Sequence, residues 1–194
     1  MSRAVALLIS ALLLQGCTNL HVMSHVPLST MSRLSSLRLA EIEPAELRVA
    51  ARMPEHIEPR RGGVKVRIDV AASGQTAGFR DDLTLEAAVE PDEFSALSSH
   101  RRGGTRLWVY RLSGSDVTRL RRTNALAAGR PEVARVSIAV GVDACSRAPL
   151  GSAGLETTTF LRTNASGFFV LTEDLDLRSV VPERDLATKV PPCE

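Results

Sequence analysis

Gly63-Val64-Lys65-Val66-Arg67-Ile68-Asp69-Val70 is the stretch whose reading decides the fold. Its branched apolar residues sit at every second position, with Lys65, Arg67 and Asp69 between them. A period of two belongs to a strand with one face on a core and the other in water. The same alternation recurs along the chain. Leu47, Val49, Ala51 and Met53 alternate with Arg48, Ala50 and Arg52. Leu83, Leu85, Ala87 and Val89 alternate with Thr84, Glu86, Ala88 and Glu90, and Val136, Ile138, Val140 and Val142 repeat the pattern. Thr157 to Arg162 and Phe168 to Thr172 read as a hairpin around Thr163-Asn164-Ala165-Ser166-Gly167, a Gly-containing connection of suitable length.

One segment breaks the period. Ser113 stands three residues before Asp116, which is the spacing of a capping box. Val117, Leu120, Ala127 and Ala128 share a helical face, and Gly129 with Pro131 ends the run. A helix is therefore expected over about 113–128. The strand just before it, Arg106 to Leu112, is apolar on both faces, with Leu107 and Val109 on one and Trp108, Tyr110 and Leu112 on the other. Such a strand must be covered twice, and the helix is the obvious cover for one face. The expected fold is mainly β: an antiparallel sandwich or partly open barrel with one inserted helix.

The N-terminus carries a different signal. Arg3 precedes an apolar run from Ala4 to Leu14, and Leu14-Gln15-Gly16-Cys17 follows. The run is shorter than the roughly 20 apolar residues a permanent span requires, and fits the apolar region of a secretory signal. Leu three positions before a Cys, with Gly immediately before it, resembles the lipobox of bacterial lipoproteins. The resemblance implies that residues 1–16 are a signal peptide and that Cys17 is the site of lipidation, bearing diacylglycerol on sulfur and an acyl chain on its amine. Thr18, rather than Asp, at the second mature position implies sorting to the outer membrane. The expected location is the cell envelope, on the periplasmic face of that membrane, with the acyl anchor as the contact to lipid.

Residues 17–36 then read as a tether, within which Leu28, Met31, Leu34 and Leu37 recur at helical spacing after Pro27. Residues 37–194 read as one β-rich domain. With Cys17 committed to lipid, Cys145 and Cys193 remain as a pair in an oxidising compartment and are expected to form a disulfide.

Twenty-four residues are Lys or Arg, and only Lys65 and Lys189 are lysines. The formal net charge of +2 falls by one when Arg3 leaves with the signal, which gives no field suited to nucleic acid. Two short stretches echo each other: Arg60-Arg61-Gly62-Gly63 and Arg101-Arg102-Gly103-Gly104, each leading to a strand. They read either as similar turns with solvated arginines, or as a cradle in which Arg60, Arg61, Arg101 and Arg102 bind phosphate or carboxylate. The planar guanidinium fork suits such anions, including lipid and lipopolysaccharide headgroups.

Catalytic signatures are missing from the sequence. It has no Gly-x-Ser-x-Gly, no His-Glu-x-x-His and no phosphate-binding glycine loop. His21 and His25 have metal-compatible spacing but no partner ligand between them, so neither a metal nor a cofactor is expected. The acidic clusters Asp81-Asp82 and Glu173-Asp174-Asp176 lack the spacing of a calcium loop. The expectation is a non-enzymatic lipoprotein that acts as a tethered adaptor or accessory subunit of an envelope protein complex. The alternative is a carrier of lipid or another anionic ligand.

Overall fold

A computed structural model describes residues 24–70, 79–128, 136–151 and 154–194. The apolar run, Cys17, His21, Gly129 and Pro131 lie outside these residues. Seven strands are described: β1 (Arg48–Pro54), β2 (Ile57–Val70), β3 (Phe79–Ala87), β4 (Thr105–Leu112), β5 (Val136–Ser146), β6 (Glu156–Arg162) and β7 (Phe169–Asp176). They form a single antiparallel sheet in the order β5-β2-β3-β4-β1-β6-β7, curled into a half-barrel. This is the partly open form of the expected fold.

The curl has an identifiable hinge. In β3, residues 79–84 pair with β2, whereas Leu85, Glu86 and Ala87 pair with β4. A strand that changes partners midway turns a corner and folds the two halves of a sheet toward each other. Val64, Val66, Ile68 and Leu83 on one side meet Val49, Tyr110, Leu112 and Leu161 on the other in the main core. On the outer face, Arg67 lies opposite Asp82 and Asp69 opposite Arg80, and both pairs bond, at 2.7 and 2.5 Å. Opposite charges in register fix the pairing that the apolar face demands.

The helix appears as α3 (Gly114–Ala128), after α1 (Leu28–Ser36) and the short α2 (Pro91–Ser95). Ser113 Oγ accepts from the Asp116 backbone N–H at 3.1 Å. Leu120 is fully buried, Val117 packs on the main core, and Asn124 donates to the Ile42 carbonyl at 2.7 Å. Strand β4 is covered twice, as its composition requires. Tyr110 and Leu112 join Leu120 in the main core, while Val109 packs with Leu97, Phe160 and Ala50 under α2.

Two readings of the alternation need correction. Arg48, Ala50 and Arg52 were expected on a wet face, yet Ala50 and Arg52 are buried and Arg48 is half-buried. Strand β1 lies between β4 and β6, and the segment around α2 covers its second face. In β3 the alternation ends at Ala87, and Val89 is 79% exposed.

The C-terminal helices α4 (Leu177–Val180) and α5 (Glu183–Lys189) build a second core, where Leu186 and Val190 meet Met53, Ile57 and Ala144. Beyond them Cys193 is disulfide-bonded to Cys145, and its N–H donates to the Ser146 carbonyl at 2.9 Å. The tail is thereby fastened to the edge strand β5. At the opposite edge, α1 lies along β7: the Thr30 hydroxyl donates to the Val170 carbonyl, and the Glu173 N–H donates to the His25 carbonyl. Thus the described part of the expected tether, from Ser24 onward, is packed on the domain.

Candidate functional site

The two Arg-Arg-Gly-Gly stretches lie in different settings. Arg60 to Gly63 sits inside β2 rather than ahead of it, at a break in the pairing with β5 between Pro59 and Val64. The extra residues form an irregular bulge. Gly62 takes a positive φ of 71°, and Gly63 passes so close to β5 that an added Cβ would stand 2.8 Å from the Asp143 carbonyl oxygen. Arg60 and Arg61 are exposed, and no ion pair among the described residues uses them.

Arg101 to Gly104 is instead a true turn before β4, with Gly104 at a φ of 71°. Its Gly104 carbonyl accepts from the Glu55 N–H at 3.1 Å, which ties the turn to the β1–β2 connection. Here the arginines border a cleft of about 300 Å³ lined by Phe94, Arg101, Arg102, Thr105, Arg106 and Leu107. Of the four arginines read as a cradle, Arg101 and Arg102 share this cleft, and Arg60 and Arg61 do not line it.

Beneath this turn lies a polar network that the sequence did not disclose. The buried guanidinium of Arg52 donates to the His100 carbonyl at 2.9 Å, to Thr158 Oγ1 at 2.8 Å and to Asp174 Oδ1 at 2.6 Å. Asp174 Oδ2 accepts from Arg102 at 2.7 Å, and Thr158 Oγ1 donates to Oδ1 at 2.9 Å. Asp174 has a φ of 44°, a left-handed conformation rare for a residue with a side chain. Partial burial pushes its carboxyl pKa up, but the bonds from Arg102 and Thr158 and the charges of Arg102 and Arg52 outweigh this and hold it below the ordinary range. One carboxylate thus serves two guanidinium groups.

Asp174 also borders a second cleft, of about 330 Å³, with Ser24, His25, Val26, Pro27 and Glu173. Ser24 to Pro27, the first described residues, lie against β7 here. The ring Nδ1 of His25 lies 2.9 Å from the Glu173 carbonyl.

Other charged groups are absorbed by the fold. Arg119 pairs with Asp116 of its own helix and with Asp81 of β3, and Arg121 with Glu43 in the segment before β1. Glu93 of α2 is buried between Arg48 and Arg162, at 2.7 and 3.0 Å, and clamps α2 against β1 and β6. Glu58 lies beside the disulfide and is held by two bonds from Arg147, each 2.8 Å. Arg106 places its guanidinium 4.9 Å from the centre of the Trp108 ring.

Comparison with protein-family models, with characterised proteins and with solved structures gives no match.

Proposed function

We propose that the protein is a non-enzymatic envelope lipoprotein, held at the outer membrane by acyl chains on Cys17, and that it acts as a tethered adaptor or accessory subunit of an envelope protein complex. Lipidation confines such a domain to a thin layer, and a short tether raises its effective concentration at partners there. A single observation favours an adaptor over a carrier. Within the curl of the sheet, where a carried acyl chain would need room, Val49, Val64, Val66, Ile68, Leu83, Leu120 and Leu161 are at most 1% exposed and pack on one another. A carrier needs a cavity in that place.

Native mass spectrometry of the full-length protein, extracted from its own envelope in mild detergent, tests this reading. The expected result is an acylated chain with a stoichiometric protein companion. A reproducible small molecule on an otherwise solitary folded chain would instead establish the carrier. Replacing Cys17→Ser should abolish the acyl mass and release the domain from the membrane fraction.

A further inference from the structure

We infer that the cleft bordered by Arg101 and Arg102 is the face this domain turns toward the bilayer, where it binds the phosphate groups of anionic lipids. The inference rests on the acylated Cys17 of the reading above and adds an orientation and a ligand class to it.

Chain length supplies the first argument. Ser24 is seven residues beyond Cys17, and seven extended residues reach at most about 25 Å. Ser24 and His25 border a cleft with Glu173 and Asp174, and the same Asp174 carboxylate bonds Arg102 at 2.7 Å. Arg102 therefore stands one side chain away from the point where the anchored segment joins the domain. A tether so short, joined at that point, keeps this end of the sheet within reach of the headgroups.

Charge supplies the second. Asp174 is shared between Arg52 and Arg102, and Arg101 has no ion-pair partner among the described residues. Glu173 and Glu156 act on Arg102 through space, but neither bonds it. The turn thus presents one guanidinium that shares its carboxylate and one with no ion-pair partner among the described residues, and each retains N–H donors for the paired bonds that phosphate accepts. Downstream of the same junction, α1 exposes Leu28 (83%) and Met31 (39%). Exposed apolar side chains on the segment that follows the anchor suit the boundary between headgroups and acyl chains.

The test uses the lipidated full-length protein, reconstituted into vesicles of phosphatidylcholine alone or mixed with phosphatidylglycerol. Amide hydrogen exchange across residues 101–106 is the readout. Slower exchange in the anionic vesicles, reversed by high salt, is the expected result. Arg101→Glu should reduce that protection by about fivefold or more, the effect of one basic residue at an anionic surface. Equal exchange in both vesicle types, or protection that survives Arg101→Glu, would overturn the inference. If inorganic phosphate gives the same protection on phosphatidylcholine vesicles, the cleft takes free phosphate and the lipid assignment fails. Protection that requires a co-purified envelope protein would likewise reassign the cleft to that protein. The intact mass of the same preparation separates the two levels: a chain without acyl groups defeats the anchoring itself, while an acylated chain without protection defeats only the docking.

Discussion

Arg60-Arg61-Gly62-Gly63 and Arg101-Arg102-Gly103-Gly104 are the same four residues in two structures. In the first, the positive φ falls on the third residue and the fourth is squeezed against β5. In the second, the positive φ falls on the fourth residue and the third is open to solvent. Neither arginine of the first copy has an ion-pair partner among the described residues, whereas Arg102 of the second is bonded to Asp174. Identical words therefore acquire different roles from what lies across the sheet. Strand β5 makes the first copy a packing element, and β7 makes the second part of an ionic cluster.

The largest effect that can separate the copies is reduction of the disulfide. Cys145 pairs in register with Glu58, and Asp143 touches Gly63, so the first copy lies along the cross-linked stretch of β5. Opening a link between residues 48 apart should cost on the order of 4 kcal/mol, because the unfolded chain regains the entropy of an open loop. Denaturation with and without reductant measures that loss. Hydrogen exchange under reducing conditions should quicken around residues 58–63 before 101–104. An unchanged melting temperature would show that the link contributes nothing to stability.

Next in size is Arg52→Ala, which undermines the second copy alone. It removes a buried cation and leaves the His100 carbonyl, Thr158 and Asp174 without their shared donor. A loss of about 2 to 3 kcal/mol is expected in chemical denaturation, the scale of leaving buried acceptors without their donor, while Asp174, 36% exposed, keeps water and Arg102. Arg61→Ala, at an exposed side chain with no ion-pair partner among the described residues, should stay within about 0.5 kcal/mol of the parent.

The glycines sharpen the contrast. Gly63→Ala places a Cβ 2.8 Å from the Asp143 carbonyl oxygen and 3.0 Å from that of Arg60, and backbone atoms cannot swing aside. About 2 kcal/mol should be lost, the typical cost of overpacking. Gly103→Ala meets nothing within 4 Å and should be neutral to within about 0.5 kcal/mol. Equal costs at the two positions would mean that the copies are alike after all.

Much of the sheet was legible because period-two alternation is a local signal. Val64 to Val70, Leu107 to Leu112 and Thr157 to Arg162 carry their strands on their own residues, and Ser113 with Asp116 marks the start of α3. The helices α2, α4 and α5, of five, four and seven residues, are too short for a helical period to emerge. The site was half legible. Arg101 and Arg102 stood out as an anion-compatible pair, and Glu173-Asp174-Asp176 as an acidic cluster at a strand end. Nothing local joins them, since Arg102 and Asp174 are 72 residues apart and meet through the order β4-β1-β6-β7. The burial of Arg52 is not legible, because alternation assigns a face without saying whether a second layer covers it.

The smallest effect is the most diagnostic of the second copy's wiring. Arg102 is half exposed, so Arg102→Ala should cost no more than about 1 kcal/mol at neutral pH. Its dependence on pH has a definite sign. The folded-state pKa of Asp174 is depressed, so its contribution is present above the unfolded value, near 3.9, and is lost as pH falls through the folded value. Removing Arg102 takes away a hydrogen bond and a charge that depress that pKa, which moves it back toward the unfolded value. The stability difference between Arg102→Ala and the parent should therefore be full at neutral pH, shrink as the solution is acidified below the ordinary carboxylate range, and vanish once Asp174 is protonated in both. Arg61 has no carboxylate partner among the described residues, so Arg61→Ala should show no such trend. Denaturation curves for both variants from neutral pH into acid decide the matter. If the two differences run parallel, Asp174 does not distinguish the copies, and the contrast between a solvated and a captured arginine pair is lost.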